Sequence, residues 1–159
     1  MEHYVQIENI DGVDTMKECW DTPPECGVGN EGWKNAIEIK PEIDPRRQRY
    51  TNHVFDLTVD PVQIKWGCKN HPVQSRVEEL TEMSEFPMFV LFNNMARKII
   101  PYDHELIMST QATADQLRAC LQVATTHNQL DAIEDGIAKT PEEVLAITEP
   151  DAILEEIVV

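Results

Sequence analysis

The sequence predicts an α+β fold: a small antiparallel sheet covered by helices, with an N-terminal arm and an acidic helical C-terminus. Three observations lead there. Apolar and polar residues alternate in three runs between positions 36 and 68, the period of strands with one face packed. From position 73 onward apolar residues recur every three or four residues, the period of a helix. Positions 1–32 hold neither period and are broken by turn signals. The expected divisions are an arm over 1–32, an α+β core over 33–102 and an acidic helical region over 103–159. A chain of 159 residues suits one domain, or a domain with an arm.

In the arm, Val5, Ile7 and Ile10 alternate weakly, enough for one short strand. Asp11-Gly12 is a turn signal, and Asp21-Thr22-Pro23-Pro24 through Asn30 reads as loop. Ala36-Ile37-Glu38-Ile39-Lys40 alternates until Pro41 stops it. Phe55, Leu57 and Val59 share one face of a strand, as do Val62, Ile64, Trp66 and Cys68 of the next. With Asp60-Pro61 between them, the two runs form a hairpin in which Phe55 and Trp66 are expected to be largely buried.

Pro72 suits the first position of a helix capped by Asn70 or His71, with Val73, Val77, Leu80 and Met83 on its apolar stripe. The run Met88-Phe89-Val90-Leu91-Phe92 fits a buried strand or a helix with Met88, Leu91, Phe92, Met95 and Ile99 on one stripe. Its length favours the helix. Thr113 with Gln116 has the form of a capping box, and Leu117, Leu121 and Ala124 follow. The pattern breaks near Thr126-His127, and Gly136 ends the segment carrying Leu130 and Ile133. Thr140-Pro141-Glu142-Glu143 starts another helix, and Glu149-Pro150-Asp151 a last one carrying Ile153, Leu154, Ile157 and Val158.

Charge narrows the function classes. Thirteen basic residues face 29 acidic ones, a net −16. Direct binding to nucleic acid or to an anionic membrane is not expected, because each phosphate contact needs a cation. No apolar run reaches the length of a membrane span, and Met1-Glu2-His3-Tyr4 opens without the basic and apolar stretches of a secretory signal. Positions 103–159 hold twelve acidic residues and two basic ones. Short helices of that kind are marginal alone and need something to pack on.

Cys19, Cys26 and the Cys68-Lys69-Asn70-His71 step are the residues a zinc ion would use. Cys-x6-Cys is an unusual knuckle and no second tight pair exists, so reduced structural cysteines and no metal site are expected. Neither paired histidines at helical spacing, a glycine-rich phosphate loop nor a nucleophile elbow is present. Hence no catalytic residue and no cofactor is assigned. Arg46, Arg47 and Arg49 form the one basic cluster. They are expected to meet the acidic C-terminal region of the same or a neighbouring chain. Ile153, Leu154 and Ile157 supply the apolar side of that contact.

The order Gly32-Trp33-Lys34-Asn35-Ala36-Ile37-Glu38-Ile39-Lys40-Pro41, Arg47-Gln48-Arg49-Tyr50, His53-Val54-Phe55-Asp56-Leu57-Thr58 and Pro61-Val62-Gln63-Ile64-Lys65-Trp66 resembles the opening of small tail-associated proteins of tailed bacteriophages. The likeness spans about residues 32–80. It implies a structural or adaptor subunit of the virion at the tail or fibre attachment. Such a subunit is assembled in the host cytoplasm, is homo-oligomeric, and contacts other tail proteins. Two other roles fit the composition: a tail-fibre assembly chaperone absent from the finished particle, and a small acidic inhibitor whose carboxylates mimic nucleic acid.

Overall fold

The computed structural model describes residues 3–159. The chain divides into two compact units, residues 1–70 with 154–159, and residues 71–153. The fold is mixed α+β, with the strands in the first unit and the helices in the second.

The sheet unit holds β1 (His3–Ile10), β2 (Val13–Trp20), β3 (Trp33–Ile39), β4 (Gln48–Asp56) and β5 (Val62–Asn70). Their order is β2-β1-β3-β5-β4. The sheet is therefore larger than expected, and mixed: β3 runs parallel to β5, pairing Ala36 with Val62, and the other neighbours are antiparallel. The expected arm is instead the β1–β2 hairpin. Its turn is Asp11 (φ 54°) and Gly12 (φ 86°), two left-handed residues that match the twist of a two-residue hairpin. The weak alternation of β1 hid its place. β1 is paired on both edges, with β2 and with β3, and Val5 is wholly buried. Gly32 admits β3 beside β1, because a Cβ there would overlap the Ile7 carbonyl. The sheet core is Val5, Ala36, Val62 and Ile64.

β5 lies where the alternation puts it, but β4 ends at Asp56: Leu57 and Val59, expected on a strand, fall in the turn, which contains a cis Asp60–Pro61 peptide. Phe55 and Trp66 are only half-buried, which corrects the expected deep burial. β4 is an edge strand, so its side of the hairpin stays partly wet. The Asp56 carboxylate accepts from Lys65 Nζ at 2.7 Å and from the Thr58 hydroxyl at 2.5 Å and amide at 3.2 Å. These donors, Lys65 first, hold its pKa at about 2 instead of the ordinary 3.8. A depressed carboxylate stabilises the fold above its unfolded pKa, and that contribution disappears as pH falls through the folded one. The Asp56 carboxyl resonance is thus expected to titrate near pH 2, and to move up towards 3.8 in Lys65→Met. A midpoint unchanged by that substitution would dismiss the ion pair as its cause.

The helical unit holds α1 (Val73–Ala96), α2 (His104–Val123), α3 (His127–Glu134) and α4 (Pro141–Leu145). The two helical runs read before and after Pro87 are one helix, with Pro87 inside it. α2 starts ten residues earlier than a Thr113 cap would place it. Asp103 caps it instead, accepting from the Leu106 amide at 3.0 Å, while Thr113 sits mid-helix and donates back to the Ser109 carbonyl at 3.0 Å. Thr126 and Thr140 each close a capping box, with Gln129 and Glu143.

No helix forms over 150–158, which corrects the expected acidic helical C-terminus. Asp151 does not start a helix; its two oxygens take the His127 and Asn128 amides of α3 at 2.8 Å each, the donors a helix start leaves unpaired. The helical core is Cys120, Leu121, Leu130, Ala132, Ile133, Ala138 and Val144. The expected boundary at 102/103 is replaced too: α1 and α2 pack together inside one unit.

Candidate functional site

Three side-chain constellations are the site-like features of the two units. The first lies on the sheet. Trp66 of β5 donates through Nε1 to Glu38 of β3 at 3.2 Å. Lys40 pairs with Glu38 at 2.8 Å and lies 5.0 Å over the Trp66 ring. His53 of β4 lies 4.6 Å from the same ring, tilted by 41°. Buried His3 of β1 reaches Asp21 through Nδ1 at 2.7 Å and Glu38 through Nε2 at 3.5 Å. The Lys40 ammonium, first among the causes, holds the Glu38 carboxyl below its ordinary range.

Cys19 is the nucleophilic residue near this group. Partial desolvation, then the charges of Asp21 and Glu38, push its thiol pKa up. A reactive thiol needs the opposite shift. Burial and then the carboxylates thus disfavour the Cys19 thiolate, and the cluster joins residues of four strands, β1, β3, β4 and β5.

The second constellation is inside the helical unit. Arg76 of α1 is 3% exposed. Its Nη2 donates to Asp131 at 2.6 Å and to Glu134, and its Nη1 lies 3.4 Å from His127 Nδ1. His127, Asp131 and Glu134 follow at helical spacing, so one face of α3 receives the guanidinium. The buried charge is matched by two carboxylates, and the cluster fastens α1 to α3.

The third is apolar and exposed. On α1, Met83 is 67%, Phe86 64%, Phe89 67% and Phe92 50% exposed, while Leu91 faces the core. Phe86 and Phe89 stack at 6.4 Å. Ile99 and Tyr102 in the following loop, and Met108 on α2, are also more than half exposed. Large exposed apolar patches mark contact sites. The sequence carried a signal for this surface: the run 86–92 is apolar without a break, more than one buried stripe requires. Of the expected stripe, Leu91 is buried, Met88 and Met95 are half-buried, and Phe92 and Ile99 are exposed.

The residues singled out as contacts lie elsewhere. Arg47 Nε faces Asp44 at 3.6 Å, the Arg46 amide donates to the Asp44 carboxylate at 2.9 Å, and Arg49 donates to the Pro45 and Gln48 carbonyls. These contacts fall on residues 44–48, next to the arginines in the chain. Ile153 is 99% exposed and Leu154 half-buried. Ile157 pairs with Cys68 of β5 through both backbone hydrogen bonds, each 2.9 Å. Of the cysteines weighed as zinc ligands, Cys19 and Cys26 are exposed and Cys68 is buried, while His71 belongs to the helical unit and faces Glu79 at 3.1 Å. Among the described residues no three His, Cys, Asp or Glu side chains converge as a metal site would require. No described helix is long and apolar enough to cross a membrane. Comparison with protein-family models, with curated proteins and with solved structures gives no match.

Proposed function

We propose that the chain is a non-enzymatic structural or adaptor subunit of a bacteriophage particle, working at the tail or fibre attachment. It acts there as a homo-oligomer in contact with other tail proteins, not with nucleic acid or membrane. The observation that carries the contact role is the exposed apolar surface of α1, where Met83, Phe86 and Phe89 stand in water. The phage setting comes from the resemblance of residues 32–80 to tail-associated proteins. A net charge of −16 supports protein partners over phosphate-rich ones.

The test is the composition of particles purified from the phage that encodes the chain. Mass spectrometry is expected to find the chain at a fixed ratio to the tail proteins through successive density gradients. Its presence in lysate assembly intermediates but not in finished particles would replace this role with that of a tail-fibre assembly chaperone. Its absence from both would end the virion reading.

A further inference from the structure

The outer face of α1 carries a second periodicity. Glu79, Met83, Phe86, Val90, Asn93 and Arg97 follow one another at alternating steps of four and three residues, the a/d spacing of a coiled-coil seam. The buried Ser84 and Leu91 fall roughly 130° around the helix from this seam, at 3.6 residues per turn. The helix thus has one stripe for its own core and another facing solvent, with Met83, Phe86 and Val90 all exposed.

The outer stripe is self-complementary. Phe86 and Val90, Met83 and Asn93, and Glu79 and Arg97 are each equidistant from Met88. An antiparallel copy of the same helix, related by a twofold axis at the level of Met88, sets Phe86 against Val90 of the second copy. It sets Met83 against Asn93 and Glu79 against Arg97 in the same way. Each contact then occurs twice, as a twofold interface requires.

Charge points to the same occupant. Between Met83 and Ala96 the one ionisable residue is Glu85, on a chain whose net −16 otherwise resists self-association. The stretch is bounded by Glu79 and Glu82 at one end and by Arg97 and Lys98 at the other. Antiparallel pairing brings the acidic end of each helix to the basic end of the other. The Glu79 carboxylate also faces His71 Nε2 at 3.1 Å, with 52% of its side-chain surface exposed. Met83, Phe86, Phe89 and Val90 together expose roughly 450–500 Å² per copy, at about 200 Å² for a full aromatic side chain. With the flanking polar residues this approaches the ~800 Å² per partner of a standard interface.

We propose that α1 pairs antiparallel with α1 of a second copy of this chain, through a Met83–Phe86–Val90 seam flanked by Phe89 and closed at both ends by Glu79–Arg97 ion pairs. The inference rests on the reading of this face as a docking surface and not on the virion setting. Sedimentation of the full-length protein over a concentration series is expected to give a monomer–dimer equilibrium. Arg97→Glu and Glu79→Arg each place like charges at both ends of the seam. Each is expected to raise the dissociation constant roughly tenfold. The double variant restores opposite charges in exchanged order and is expected to return the constant to near the wild-type value. Phe86→Glu should abolish the dimer while leaving the helical circular dichroism unchanged. A wild type that stays monomeric at several hundred micromolar overturns the pairing. So does an oligomer indifferent to the single reversals, or a double variant no better than its parents. Incorporation of a strictly monomeric chain into particles would sink this inference and leave the structural role intact.

Discussion

Arg76→Ala is expected to destabilise the helical unit by about 2–4 kcal/mol, the scale of removing one partner from a buried ion pair. The upper end is discounted because Asp131 and Glu134 keep 21% and 29% of their side-chain surface in contact with water. The guanidinium is 3% exposed and reaches two carboxylates and an imidazole on one helix face. Its loss leaves two negative charges facing each other across a gap that alanine does not fill. All four helices lie in this unit, so the ellipticity at 222 nm reports its unfolding. The midpoint should fall by on the order of 10 °C. Arg76→Lys should recover little, because a single ammonium does not reproduce the fork between Asp131 and Glu134. Arg76→Met combined with Asp131→Asn and Glu134→Gln should recover much of the loss, since no unpaired charge remains. If Arg76→Met alone recovers as much as the triple variant, the loss comes from packing and not from charge.

That cluster also marks where legibility in the sequence ends. Arg76 reads as an outward residue of an amphipathic helix, because periodicity assigns it to the polar face. What buries it is α3, about fifty residues along the chain, and nothing local reports that. The readable features were those whose cause lies within a few residues. The alternation of β3 and β5, the Thr140 cap and the break at Thr126 belong there. The unreadable ones were made by distant partners. β1 is central because β3 pairs with it, and β3 and β5 run parallel because β4 turns back on the outer edge. Asp151 caps a helix that starts twenty-four residues earlier. The same limit explains the contact surface. The apolar run after Pro87 was visible, but periodicity does not say which stripe the chain itself covers. Only the packing of α2 on α1 separates Leu91, which is buried, from Phe86 and Phe89, which are not.

Gly67→Ala is expected to release the C-terminal residues from the sheet. β3 pairs with β5 only as far as Lys65, and beyond that point the same edge of β5 is taken by the tail. Cys68 and Ile157 exchange both backbone hydrogen bonds at 2.9 Å. Gln48 donates to the Glu155 carbonyl at 2.8 Å, and Asn70 donates to the Leu154 carbonyl at 3.2 Å and the Glu156 carboxylate at 2.8 Å. Five such bonds are worth about 1 kcal/mol each before the cost of ordering the tail. A Cβ on Gly67 would lie 2.5 Å from the Ile157 carbonyl oxygen and would also meet the Thr51 hydroxyl. Thr51 can rotate away; the Ile157 carbonyl cannot without giving up its bond to Cys68. The tail then lifts, and Cys68, 3% exposed beneath it, becomes accessible. Labelling by a thiol reagent with peptide mapping should show Cys68 slow in the wild type and fast in Gly67→Ala. Deletion of 154–159 should give the same fast rate, and combining the two should add nothing, because both remove one contact. The uncovered edge exposes unpaired amide and carbonyl groups, so both variants should also aggregate more readily. Deletion of 140–159 is a different experiment. It removes Val144, which is wholly buried in the helical core, and should unfold that unit as well. Protection of Cys68 in Gly67→Ala equal to that in the wild type would mean that the tail does not depend on the missing side chain, and the account of Gly67 would fall.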